Sequence, residues 1–119
     1  MKQYTFIKPD PTLQNNLMDF GFECGPGWYP LIEELFDKMQ DMVDKNPILS
    51  DLEVLQVKEK WGSLTIYLSY YFPEVEKLIN EYEEKSLAIC EKCGSQDQVD
   101  MRNIHGWYTT LCQKCFESK

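Results

Sequence analysis

Histidine is nearly missing from this chain: His105 is the only one among 119 residues. Its scarcity removes the commonest general base and most histidine-containing metal sites. No apolar run reaches the roughly eighteen residues that a membrane helix needs. The opening "MKQYTFIKPDPT" has neither the apolar stretch nor the small-residue cleavage site of a secretory leader. The expectation is therefore a cytoplasmic protein with no membrane partner. There is also no Gly-rich phosphate loop, no nucleophile elbow, no internal repeat and no low-complexity segment.

Basic residues are scarce as well, 12 against 20 acidic ones, for a net charge of −8. The imbalance is local. Residues 1–52 hold nine acidic and four basic groups, residues 73–89 five and two, while residues 53–72 and 90–119 are each balanced. An acidic surface of this kind repels a phosphate backbone, which makes nucleic acid an unfavoured partner. What the chain does have is core: 43% hydrophobic and 13% aromatic residues, enough for one folded domain of ordinary size and too many for disorder.

Periodicity divides the chain. A short strand over Tyr4–Ile7, a break at Pro9 and Pro11 and a short helix over Thr12–Asp19 lead to the turn Gly25-Pro26-Gly27. Trp28, Leu31, Ile32, Leu35, Met39, Met42 and Val43 then recur at helical spacing, with Pro30 in the first turn and Asn46-Pro47 as the stop. Leu55 and Val57, then Leu64, Ile66 and Leu68, alternate with polar or aromatic residues around Lys60-Trp61-Gly62, which reads as a β-hairpin. Pro73, Val75, Leu78, Ile79, Tyr82 and Leu87 mark a second helix that runs into the first cysteine pair. The fold class expected is α+β: helix, antiparallel hairpin, helix, then a small C-terminal four-cysteine zinc ribbon. The expected division is a body over 1–89 and a ribbon over 90–119 docked on it.

The ribbon rests on the most specific pattern in the chain, Cys90-x2-Cys93-x18-Cys112-x2-Cys115. Two-residue gaps let a tight knuckle bring two sulfurs to about 2.3 Å from one metal, and the longer gap fits a hairpin, here "QVDMRN" and "GWYTTL". Gly94 suits the positive φ that a knuckle needs after its second cysteine. Four thiolates leave no open position for water or substrate, so the expected cofactor is one structural Zn²⁺. Cys24, the fifth cysteine, lies in a Gly/Pro-rich loop before a helix, where backbone amides can lower a thiol pKa. A nucleophile there needs a base, and His105 is the only neutral-pH candidate, so an ordinary buried cysteine is the expectation. No catalytic residues are assigned, and the chain is read as a non-enzyme.

Trp28, Trp61 and Trp107 each neighbour a glycine. Trp61 and Trp107 fall in predicted turns, where a large ring is either a clamp between modules or an exposed anchor, and packing is the default expectation. Tyr67, Tyr70, Tyr71 and Phe72 form an aromatic strip whose default is likewise a layer under a helix.

"CGPGWYPLIEEL", "QVKEKWGSLTIY", "KSLAICEKCG" and "GWYTTLCQKC", in this order over residues 21–115, resemble a group of small proteins encoded by bacteria and phages. Their recurrent features are a Gly-Trp helix start, a "KEKFG-LRFY" hairpin and a C-terminal four-cysteine zinc ribbon. Thr65-Ile66 stands here where that group tends to carry Arg-Phe. The resemblance implies an architecture and a setting in a bacterial host cell, and no reaction. The resulting functional expectation is a non-enzymatic interaction protein, phage or mobile-element encoded, that binds and modulates a host protein with a basic surface, such as a defence or nucleic-acid-handling factor. Its contact residues would be Glu33, Glu34, Asp37, Asp41, Glu76, Glu81, Glu83 and Glu84, with Trp61, Tyr67 and Trp107. The alternative is a nucleic-acid-binding ribbon using Lys92, Arg102, Lys114 and Lys119.

Overall fold

The structure, a computed structural model, describes residues 4–6 and 24–117. Two helices and a hairpin make the body: α1 (Tyr29–Lys45), β1 (Val54–Lys60), β2 (Ser63–Leu68) and α2 (Pro73–Ser86). A second hairpin, β3 (Val99–Ile104) and β4 (Trp107–Cys112), is followed by the helical turn α3 (Gln113–Glu117). The α+β order of helix, hairpin, helix, hairpin with clustered C-terminal cysteines is as the sequence implied. None of these helices is long and apolar enough to cross a membrane.

Pro30 lies in the first turn of α1, where its missing N–H costs nothing, and α1 ends at Lys45 just before Asn46-Pro47. Its inner stripe is Leu31, Ile32, Leu35, Phe36 and Met39. Phe36 widens the stripe beyond the residues predicted, and packs edge-on against Tyr4 and Phe6. Of the strand expected over Tyr4–Ile7, Tyr4 lies outside regular structure, Thr5 and Phe6 form a turn, and Ile7 falls outside the described residues, as does the helix expected over Thr12–Asp19. The Phe6 carbonyl accepts a hydrogen bond from Val54 N–H at 2.8 Å, which ties this segment to the start of β1.

The first hairpin pairs Val57 with Ile66 and Lys60 with Ser63, but its register shifts between Val54 and Gln56. Leu55 is the bulged residue and points to solvent, so Val54 and Val57 face the core in place of the expected Leu55 and Val57. Leu64 and Ile66 are buried as expected. Because their amides lie on the β2 edge away from β1, they need other acceptors. Ser86 Oγ takes the Leu64 N–H at 3.0 Å and Glu83 Oε2 the Ile66 N–H at 3.0 Å, so α2 covers that edge with two side chains.

The second helix buries Val75, Ile79, Tyr82 and Ser86 and stops there. Leu87 lies beyond the helix and is exposed, contrary to its expected place on the inner face. Leu87, Ala88 and Ile89 each donate to the carbonyl three residues back, forming tight turns between α2 and Cys90. Tyr82 crosses to α1, donating to Glu34 Oε1 at 3.0 Å, with the Lys85 ammonium 4.3 Å from its ring centroid.

Candidate metal centre and its aromatic flank

Cys90 and Cys93 form a knuckle closed by Gly94 N–H donating to the Cys90 carbonyl at 2.9 Å, and Gly94 has φ +84°. Cys112 ends β4 and Cys115 rides on α3, one turn further. The two pairs are built alike. The Cys93 amide donates to Cys90 Sγ at 3.5 Å, and the Cys115 amide to Cys112 Sγ at 3.4 Å. All four Sγ atoms lie within 4.8 Å of one another. The Cys93–Cys112 sulfur separation is 3.7 Å, far beyond a disulfide bond and close to the edge of about 3.8 Å of a tetrahedron with 2.3 Å metal–sulfur bonds.

Thiol acidity in this cluster is split. Burial would raise the Cys90 thiol, but the amides of Cys112, Cys93 and Lys92 outweigh it and hold the group at about 6. Burial and hydrogen bonding with the neighbouring thiols push Cys115 up to about 12. Metal ligation by cysteine takes the thiolate and releases the thiol proton. The donor set and its geometry fit one metal ion such as zinc, with a fully closed shell.

A glycine-rich corner holds this centre against the body. Gly27 N–H donates to the Glu91 carbonyl at 2.7 Å, Gly25 N–H to Glu91 Oε2 at 2.8 Å, and Trp28 Nε1 to the Ile89 carbonyl at 2.9 Å. A side chain at Gly27 would strike the Cys90 and Glu91 carbonyl oxygens. Gly25-Pro26-Gly27-Trp28 is therefore more than a turn: it is the seat of the first knuckle.

The two hairpin tips meet beside that seat. Trp61-Gly62 and His105-Gly106 are two-residue turns, with φ of 56° and 84° and of 53° and 85°. Positive φ at both central residues defines a type I′ turn, which favours Asn or Asp first and Gly second. Here a tryptophan and a histidine take the first, left-handed place. Each turn is braced alike: Gly62 N–H donates to Glu59 Oε2 at 2.6 Å and Gly106 N–H to Asn103 Oδ1 at 2.8 Å. Thr110, buried in mid-β4 opposite Met101, donates its hydroxyl to the Gly62 carbonyl and ties the first tip to the flank of the second hairpin.

Trp28 is fully buried, as packing predicts, but Trp61 and Trp107 are 69% and 67% exposed. Both rings stand in solvent, and the default of packing is overturned for both. Between them opens a cleft of about 370 Å³ lined by Lys58, Lys60, Trp61, Trp107 and Tyr108. Tyr67 is partly exposed with the Lys58 ammonium 5.7 Å from its ring centroid, and Tyr70 and Tyr71 are exposed, so among the described residues no helix covers these three rings, while Phe72 packs against the core. Of the cleft's lining, Lys58, Glu59, Lys60, Gly106 and Tyr108 are not among the contact residues expected from the sequence. The signal that could have found them is their spacing from the two X-Gly turns.

The acidic candidates differ in what they bind. Glu34 is bound by Tyr82, Asp37 accepts from Tyr4 Oη at 2.9 Å, Asp41 pairs with Lys45 at 2.9 Å and Glu83 caps the Ile66 amide. Glu33, Glu34, Asp37, Asp41, Glu81 and Glu84 are exposed, and Glu76 and Glu83 are partly buried. Burial, with Glu91 and Glu59 nearby, pushes the Cys24 thiol up to about 12, the reverse of the amide effect that its loop suggested. Arg102 donates to the Leu111 and Gln98 carbonyls and lies over the Phe116 ring, while Lys119 lies outside the described residues.

Fold and site together define an α+β protein whose C-terminal hairpin carries a four-cysteine cluster consistent with a zinc ribbon. Comparison with family models, with curated proteins and with solved structures gave no match.

Proposed function

We propose that the chain is a small non-enzymatic interaction protein, stabilised by one structural Zn²⁺ and encoded by a phage or mobile element, that binds and inhibits a host protein in the bacterial cytoplasm. The observation that carries this reading is the placement of Trp61 and Trp107, two large rings kept in solvent at braced turns. Exposed tryptophans beside a cleft are the residues that most often anchor a protein interface. The protonated Cys24 thiol, and a metal shell that four sulfurs close, support a binding role over a catalytic one. The aromatic edge is the contact surface that this reading favours, with the exposed acidic side chains of the two helices steering a basic partner.

The nucleic-acid alternative has less support, since Arg102, its only arginine, is committed to backbone carbonyls. Affinity capture from bacterial lysate tests the proposal, with the zinc-loaded protein and the double variant Trp61→Ala, Trp107→Ala as parallel baits. A host protein held by the first and lost by the second is expected. Retention of no protein, or equal retention by both baits, would contradict it.

A further inference from the structure

Resting on the interaction reading, we infer that the cleft between the two hairpin tips receives an extended, proline-containing peptide segment of the partner that carries a carboxylate beside the proline. The walls are aromatic: Trp61 from one tip, Trp107 and Tyr108 from the other. Flat aromatic faces suit the proline ring, and a polyproline-type segment has no internal hydrogen bonds to lose and little entropy to give up on docking. An α-helix, about 10–12 Å across with its side chains, needs a longer groove for anchors three and four residues apart. A cleft of about 370 Å³ between two turns does not offer one.

Charge at the rim selects the flanking residue. Lys58 and Lys60 line the cleft with Glu59 between them, and Lys92 lines the neighbouring hollow across Trp107 together with Glu59 and Glu91, whose Oε2 accepts from the Gly25 amide. The carboxylate in the same wall, Glu59, is held by the Gly62 amide, which offsets part of its charge. The local rim thus attracts an acidic side chain although the molecule as a whole is acidic. A polyanion would extend past the cleft, beyond a screening length of about 8 Å, and meet the acidic remainder of a chain with net charge −8. A short peptide meets two lysines and one amide-bonded carboxylate in the cleft.

The test uses the full zinc-loaded chain and three probes: a short proline-rich peptide with glutamate flanks, the same peptide with lysine flanks, and oligothymidine. Saturable shifts of the Trp61 and Trp107 indole N–H signals, with that of buried Trp28 unmoved, are expected on adding the glutamate peptide. The lysine-flanked peptide should bind roughly fivefold or more weakly, and Lys60→Glu should invert that order. Trp107→Ala should abolish the shifts. Lys60 is exposed, so its variant keeps the question answerable if Trp107→Ala disturbs the hairpin. No saturable shift, equal affinity for the two peptides, or tighter binding of oligothymidine would overturn the inference. If the peptides fail while lysate capture still depends on Trp61 and Trp107, the interaction reading survives and this inference alone falls.

Discussion

Left-handed backbone at a residue with a side chain costs about 1–2 kcal/mol, and this chain accepts that cost at Trp61, Gln98 and His105. At His105 nothing obvious is gained, because the ring is exposed and lies at the end of its hairpin. His105→Asn should therefore stabilise the protein by about 1 kcal/mol, as a residue better suited to the first place of a type I′ turn. A denaturant melt checks this, and a loss of stability would show that the imidazole makes a contact that matters. Trp61 occupies the same strained place with a far larger ring. Strain kept at an exposed aromatic is what a binding residue would show, and it is where stability and function part company.

At the scale of elements, the contact between α2 and β2 decides how the body holds its edge. Glu83 is half-buried, and burial raises its carboxyl, partly opposed by the Ile66 amide, with Glu76 adding to the rise. A carboxyl raised on folding binds its proton more tightly in the folded state. Its contribution is thus most favourable below the unfolded value and is lost as pH rises through the folded one. Glu83→Gln keeps an acceptor for Ile66 N–H without a buried charge. Melts at pH 7 and pH 4 should find the variant at least as stable as the parent at pH 7, with the difference shrinking at pH 4. A variant weaker at pH 7 by the same margin as at pH 4 would contradict this.

The elements themselves were legible because their signals are local. Helical spacing with Pro30 and Pro73 placed α1 and α2, alternation placed β2, and cysteine spacing placed the metal cluster. What escaped depends on tertiary fit. The bulge at Leu55 follows from the need to seat both Val54 and Val57, which the alternation of a single strand cannot reveal. Trp61 and Trp107 were expected to pack because large rings usually do, and whether a turn lies over a core or in solvent is decided by the other hairpin. Gly25 and Gly27 looked like turn residues, yet the carbonyls they must clear come from a segment more than sixty residues away.

On the whole-molecule scale, the C-terminal hairpin has too little apolar interior to stand alone. Cys90, Leu111 and Cys112 are its buried hydrophobic residues among those described, with Val99, Ile104, Cys115 and Phe116 around them. A centre of that size needs a staple. The body does not stand apart from it either: Gly27, Trp28 and Gly62 are bonded to Glu91, Ile89 and Thr110. Losing the metal should therefore loosen residues 90–119 first and then the corner that seats α1. It should also separate the two tips that form the aromatic cleft. The most direct test is metal content and thermal melting of the purified chain, with and without a strong chelator and beside Cys90→Ser. One zinc per chain, and a melting temperature lowered alike by chelation and by the substitution, is the result predicted. A chain that holds no metal, or whose melt and circular dichroism are the same with and without chelator, would contradict it.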